Sequence, residues 1–143
     1  MHPPTREESP RGTETILLVE PDAETRTLGA FMLTRLGYSV LEAHNAMEAL
    51  KLYDERGGGV DLLLSAALMP RVNGHELAKL LEARDSSMRT LFLADEAYER
   101  LVRRAAVEKN VQFLIRPFTM HVLATQVRKA LETPGNRTRT TAA

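Results

Sequence analysis

The sequence predicts an α/β fold: a five-stranded parallel sheet with helices on both faces. Three observations carry this. Between residues 14 and 132, short apolar runs alternate five times with longer amphipathic segments. Three of the short runs are almost continuously apolar, as strands covered on both sides are. The longer segments begin and end on residues suited to helix caps. Strand–helix alternation of this kind places helices over a parallel sheet, joined by right-handed crossovers.

The first strand is "ILLV" (16–19). A helix follows, with Leu28, Met32, Leu33 and Leu36 on one face and Gly37 as its stop. Phe31, at the edge of that stripe, is expected at the core boundary. "SVLEA" (39–43) is the second strand. Asn45 and Glu48 then resemble a capping box opening "AMEALKLYDER". "GGG" (57–59) is a flexible turn rather than a phosphate loop, because a strand follows and no Lys-Ser or Lys-Thr does. That third strand is "DLLLSA" (61–66), followed by a helix marked by Leu77, Leu80 and Leu81. "TLFLA" (90–94) is the fourth strand, and its helix is expected to bury Ala97, Leu101 and Ala105. "QFLI" (112–115) is the fifth. Thr119 can cap the last helix, buried through Leu123, Val127 and Leu131 and stopped by Pro134-Gly135. Residues 1–13, Pro-rich and charged, are expected as a disordered arm, 14–132 as the domain, and 133–143 as a flexible tail.

Composition removes several function classes. Lys+Arg and Asp+Glu are equal at 19 each, so no global field draws nucleic acid or an anionic membrane. Arg137 and Arg139 are too few for DNA binding. No cysteine is present, which rules out disulfides and thiolate chemistry and fits a cytoplasmic location. No apolar run is long enough to cross a bilayer. The histidines 44, 75 and 121 lack metal-site spacing. "RLVRR" (100–104), flanked by acids, reads as a solvated helix face before it reads as a binding face.

In sheets of this class, ligands sit beyond the carboxyl ends of the strands. Those ends are Glu20-Pro21-Asp22, Ala66-Ala67, Ala94-Asp95 and Arg116-Pro117. Ser65 precedes Ala66, but strand alternation turns it to the opposite face. It and Asp61 are expected to be structural.

"ILLVEPD" with Arg26, "LGYSVLEAHNAMEAL", "DLLLSAALMPRVNG" and "FLIRPF", in this order and spacing, resemble a response-regulator receiver domain over residues 15–132. The resemblance implies a flavodoxin-like (βα)5 receiver fold. It also implies phosphoryl transfer to an aspartate ending the third strand. Two acidic residues after the first strand would help hold Mg²⁺, and a Thr or Ser and a Lys would contact the phosphoryl group. A carboxylate nucleophile meeting a phosphate dianion needs such a metal and cation to offset the charge.

Position by position, this chain departs from that pattern. The acceptor position is Ala66, and the acidic pair is Glu20 and Pro21. The hydroxyl position is Ala94, the lysine position Arg116, and the aromatic switch position Phe113. The usual Gly-Ala pair before the fifth strand is Lys109-Asn110. These residues imply a vestigial phosphorylation site with no Mg²⁺, no cofactor and no enzymatic activity. The expected function is a phosphorylation-independent signalling module acting by protein–protein interaction in a two-component-type pathway. Its contact face would be built from the fourth helix, fifth strand and fifth helix, with Tyr98, Val102, Arg103 and His121 as candidates and no nucleic acid or membrane partner. The alternatives are a phosphorelay receiver with a non-standard acceptor and a small-molecule sensor using the vacated pocket. With no DNA-binding domain in the 143 residues, direct transcriptional output is not expected. Three local expectations follow from the resemblance and the residues: a cis Arg116–Pro117 bond, an inward Phe113, and a Glu20–Arg116 ion pair at adjacent strand ends, with Asp95 as the alternative acid.

Overall fold

Alternation along the strands splits the apolar side chains between two layers. Ile16, Leu18, Leu62, Leu64, Leu91, Leu93 and Leu114 face one way, and Leu17, Val19, Leu63, Phe92 and Phe113 face the other. In the computed structural model, which describes residues 9–105 and 111–134, each layer is covered by helices. The elements are β1 (Thr15–Val19), α1 (Ala23–Arg35), β2 (Ser39–Ala43), α2 (Ala46–Arg56), β3 (Leu62–Ala66), α3 (Gly74–Glu82), β4 (Arg89–Ala94), α4 (Glu96–Ala105), β5 (Phe113–Ile115) and α5 (Met120–Glu132). All strands are parallel, in the order β2-β1-β3-β4-β5. Helices α1 and α5 cover the first layer; α2, α3 and α4 cover the second. The expected fold class is the observed one.

The helix starts follow from side-chain capping. Asp22, Asn45, Asn73 and Thr119 each accept a bond from the backbone amide three residues on. The reciprocal capping box is at Asn73 and Glu76, not at the expected Asn45–Glu48. Asn45 does receive the Glu48 amide, but the Glu48 carboxylate turns to the His44 amide and ring instead.

Three expected faces turn out differently. On α1, Leu33 and Leu36 are buried, but Leu28 and Phe31 are exposed. The sheet-facing arc is filled by Gly29, Ala30 and Leu33, and residues 28 and 31 lie on the far side. On α3, Leu77, Ala78 and Leu81 are buried while Leu80 is largely exposed. On α4 the registration is rotated. Tyr98 and Val102 pack against the core, and Ala97 and Leu101 face outward. A tyrosine ring and a β-branched valine cover more of the Phe113 surface than Ala97 with Leu101. The Ala105 side chain lies outside what is described.

The arm also ends earlier than expected. Ser9 is buried, its hydroxyl 3.0 Å from His121 Nδ1. The Gly12 amide donates to the Leu36 carbonyl, and Arg128 donates to the Arg11 carbonyl. Residues 9–13 therefore belong to the folded body. Arg128 is the hub of this edge. It makes two bonds to Glu14, at 3.1 and 2.6 Å, and others to the Tyr38 hydroxyl and Glu132. The guanidinium holds the Glu14 carboxyl down at about 2. Burial, the largest influence, pushes the Tyr38 phenol up. Lys109-Asn110 and the tail from 135 onward lie outside the described residues.

Candidate functional site

At the carboxyl edge of the sheet, Glu20 follows β1, Ala66 ends β3, Ala94 ends β4 and Arg116 follows β5. The strand order puts Ala66 and Ala94 between the two charged residues. Glu20 and Arg116 are therefore not at adjacent strand ends, as expected from sequence, but on strands separated by two others. Neighbouring strands lie about 4.8 Å apart, so only long side chains can meet across that gap. They do: Arg116 Nη1 donates to Glu20 Oε1 at 2.9 Å. The methyl groups of Ala66 and Ala94, both buried, leave the guanidinium room to cross.

The pair is unequal in exposure. The Glu20 side chain is 3% exposed and that of Arg116 is 35%. A carboxylate so buried needs its lone pairs engaged. Its second oxygen accepts the Asp22 amide at 2.9 Å. A single N–H···O bond joins acid and base, rather than the two parallel bonds that Arg can form. Arg26 supports the same corner, donating to the Glu20 carbonyl at 2.6 Å and lying 3.8 Å from Glu42. Sequence reading tied Arg26 to the family pattern without a role; its signal was position on the first turn after the strand.

The other acids nearby are committed to helix ends. Asp22 caps α1 through the Thr25 amide and hydroxyl, and these bonds lower its pKa. Asp95 accepts the Tyr98 amide at 2.8 Å, and the acid that Arg116 bonds is Glu20. Pro21 is exposed and has no carboxylate. Ser65 is fully buried and donates to the Ala66 carbonyl; Asp61 accepts the Thr15 amide. Both act in the framework. The Arg116–Pro117 bond is cis.

Gly74 sets how close α3 comes to this edge. Its amide bonds the Ala67 carbonyl at 2.9 Å, and a Cβ at position 74 would collide with the Ala66 carbonyl. The glycine of "RVNG" thus lets the helix start directly behind β3.

Phe113 points inward and is 8% exposed. Rings surround it: Phe92 lies 6.2 Å away and Tyr98 meets it edge-on at 6.1 Å. Arg103 lies over it at 5.4 Å while bonding Glu99 and the Val111 carbonyl. On the far side, His75 of α3 stacks on Phe92 at 4.2 Å. Sequence reading missed this row of rings, because its members are scattered over residues 75 to 113. Of the four residues proposed as partner contacts, Tyr98 and Val102 are thus turned toward the core. Arg103 covers Phe113, and His121 is exposed and held by Ser9.

Comparison with known proteins places this geometry. Residues 16–128 match the family model described as response regulator receiver domain. The sensor kinase CckA of Brucella abortus is 34% identical over 121 residues, which are 85% of this chain and 13% of that protein. The transcriptional regulatory protein CpxR of Klebsiella pneumoniae is 32% identical over 81% of this chain and 48% of its own length. The chain thus spans half or less of these relatives. Among solved structures, the receiver domain of the hybrid histidine kinase CckA is 32% identical with a TM-score of 0.68. That match covers 82% of this chain and 99% of that domain. The signal receiver domain of an HD domain-containing protein from Pseudomonas fluorescens gives 28% and 0.71, over 85% and 96%. On the strength of the matched 113 residues and the shared fold, the chain belongs to the response regulator receiver domain family of two-component signalling.

Proposed function

We propose that this chain is a degenerate receiver that signals without phosphorylation, through contact with another protein in a two-component-type pathway, and has no enzymatic activity. The carrying observation is the Glu20–Arg116 pair lying across Ala66 and Ala94. A methyl group has no lone pair to attack phosphorus. The residues also do not fit a magnesium ion, which takes six oxygen ligands in octahedral array. Both Glu20 oxygens are engaged, Pro21 and Ala66 supply none, and Asp22 caps a helix. Ser65 is no substitute acceptor, being buried and turned to a carbonyl.

The contact face of this reading is the surface of α4, β5 and α5, with its membership revised. Leu101, 64% exposed, replaces the inward Tyr98 and Val102; the exposed His121 stays, and Arg103 forms the rim. Phe113, enclosed by Phe92, Tyr98 and Arg103, holds that face in one arrangement.

Intact mass spectrometry after incubation with acetyl phosphate and Mg²⁺ tests the chemistry. No mass gain is expected, and amide spectra should not respond to beryllium fluoride. A stoichiometric phosphoryl adduct would return the chain to the phosphorelay class.

A further inference from the structure

Helix α1 carries an exposed stripe that is complementary to itself. Glu24, Leu28, Phe31 and Arg35 follow one another at intervals of four, three and four residues. At 3.6 residues per turn they fall within an arc of about 60°. That arc lies opposite Gly29, Ala30 and Leu33, which the helix buries. Leu28 is 50% exposed and Phe31 57%, and with Ala23, Glu24 and Thr27 they line a shallow apolar groove. The Arg35 guanidinium lies 5.5 Å over the Phe31 ring, at the rim of the same patch.

The spacing is palindromic, and so is the chemistry. Leu28 and Phe31 stand equally far on either side of the stripe's midpoint, and so do Glu24 and Arg35. A twofold axis through that midpoint sets α1 antiparallel to a second α1. Leu28 then comes level with Phe31 of the partner subunit, and Glu24 with Arg35 of the partner subunit. Apolar meets apolar at the centre, and acid meets base at both ends.

We propose that α1 is a homotypic docking helix whose occupant is α1 of a second copy of this chain, paired antiparallel about a twofold axis. Such an isologous contact closes after two subunits. One helix face per copy is small beside the roughly 1,200–2,000 Å² of a stable dimer. The association is therefore weak and concentration-dependent. It leaves the surface of α4, β5 and α5 open for a different partner.

A competing account places Glu24 and Arg35 where they are only to complement the helix dipole, acid at the start and base at the end. Charge reversal separates the two. Sedimentation equilibrium of the full chain over a wide concentration range at low salt should show a monomer–dimer equilibrium. Glu24→Arg alone sets Arg against Arg at both ends, and Arg35→Glu alone sets Glu against Glu. Each should weaken dimerisation about tenfold or more. The double variant Glu24→Arg/Arg35→Glu restores the attraction, so its dimerisation should return to within about threefold of wild type. Under the dipole account that double variant is the worst of the three. Phe31→Asp should abolish the dimer, with Leu28→Lys in its place if circular dichroism shows Phe31→Asp unfolded. A wild type monomeric at every concentration overturns the proposal; the face would then serve a different protein or none. So does a dimer unchanged by both single reversals, or a double variant no better than the singles.

Discussion

Removing Arg116 should expose how strongly Glu20 depends on it. Arg116→Ala leaves a buried side-chain carboxylate, 3% exposed, whose remaining partner among the described residues is the Asp22 amide. Breaking a fully buried ion pair costs about 3–5 kcal/mol, whereas an exposed pair is worth about 0–1. Here the acid is buried, but the base is 35% exposed, so water enters when the guanidinium leaves. That sets the expected loss between these limits, at about 2–3 kcal/mol near pH 7. Glu20→Gln removes the charge while keeping an acceptor, and should cost about 1 kcal/mol. The double variant Glu20→Gln/Arg116→Ala should be no worse than Arg116→Ala, because no unpaired charge remains. Urea unfolding followed by circular dichroism supplies these values, with the slope in denaturant unchanged if the transition stays two-state. The double-mutant cycle should give a coupling of about 1–2 kcal/mol. An Arg116→Ala variant within about 0.5 kcal/mol of wild type, the range of ordinary surface changes, would refute the reasoning. Glu20 would then be adequately solvated without its partner, and the pair would hold nothing together.

Other outcomes follow from the same structure. Glu14 has its carboxyl held down to about 2 by the Arg128 guanidinium, against an ordinary 4.5. A lowered carboxylate stabilises the fold fully above about pH 4.5, and that contribution is lost as pH falls toward 2. After discounting for solvent screening, the loss should be about 1–2 kcal/mol, absent in Arg128→Met, as read from urea midpoints between pH 6 and 2.5. Tyr98→Ala should cost about 2–3 kcal/mol by thermal or urea melts, and Leu101→Ala less than about 0.5, the reverse of what the sequence stripe suggests. Gly74→Ala drives a methyl against the Ala66 carbonyl and should lower stability by about 1–3 kcal/mol, measured by differential scanning calorimetry.

How far the sequence reads through differs between parts of the molecule. Strands such as Leu62–Ala66 were legible because a segment covered on both faces must be apolar throughout. Caps at Asn45 and Thr119 were legible because the bond they make is three residues long. The α4 face was not. Ala97 and Leu101 lie one turn apart on one stripe, and Tyr98 and Val102 one turn apart on the next. Periodicity ranks both as apolar, and only the position of Phe113 chooses between them. Phe31 shows the same failure, since the adjoining Gly29 and Ala30 proved to be the residues the sheet required. The arm at Ser9–Thr13 is aperiodic and polar, and its anchors, His121 and Arg128, are more than a hundred residues away.

At the site itself, the residue types alone decided the chemistry that is missing: alanine at 66 and 94 and proline at 21 carry no oxygen on their side chains. They also named the two charges that remain. Tertiary structure decided what those charges do. Strand order set Glu20 and Arg116 apart by two intervening strands. Burial made the acid dependent on a partner, and the small side chains between them left the path along which arginine reaches it. Composition is a property of single positions, so sequence carries it whole. A contact between residues 96 positions apart exists only once the sheet has ordered its strands.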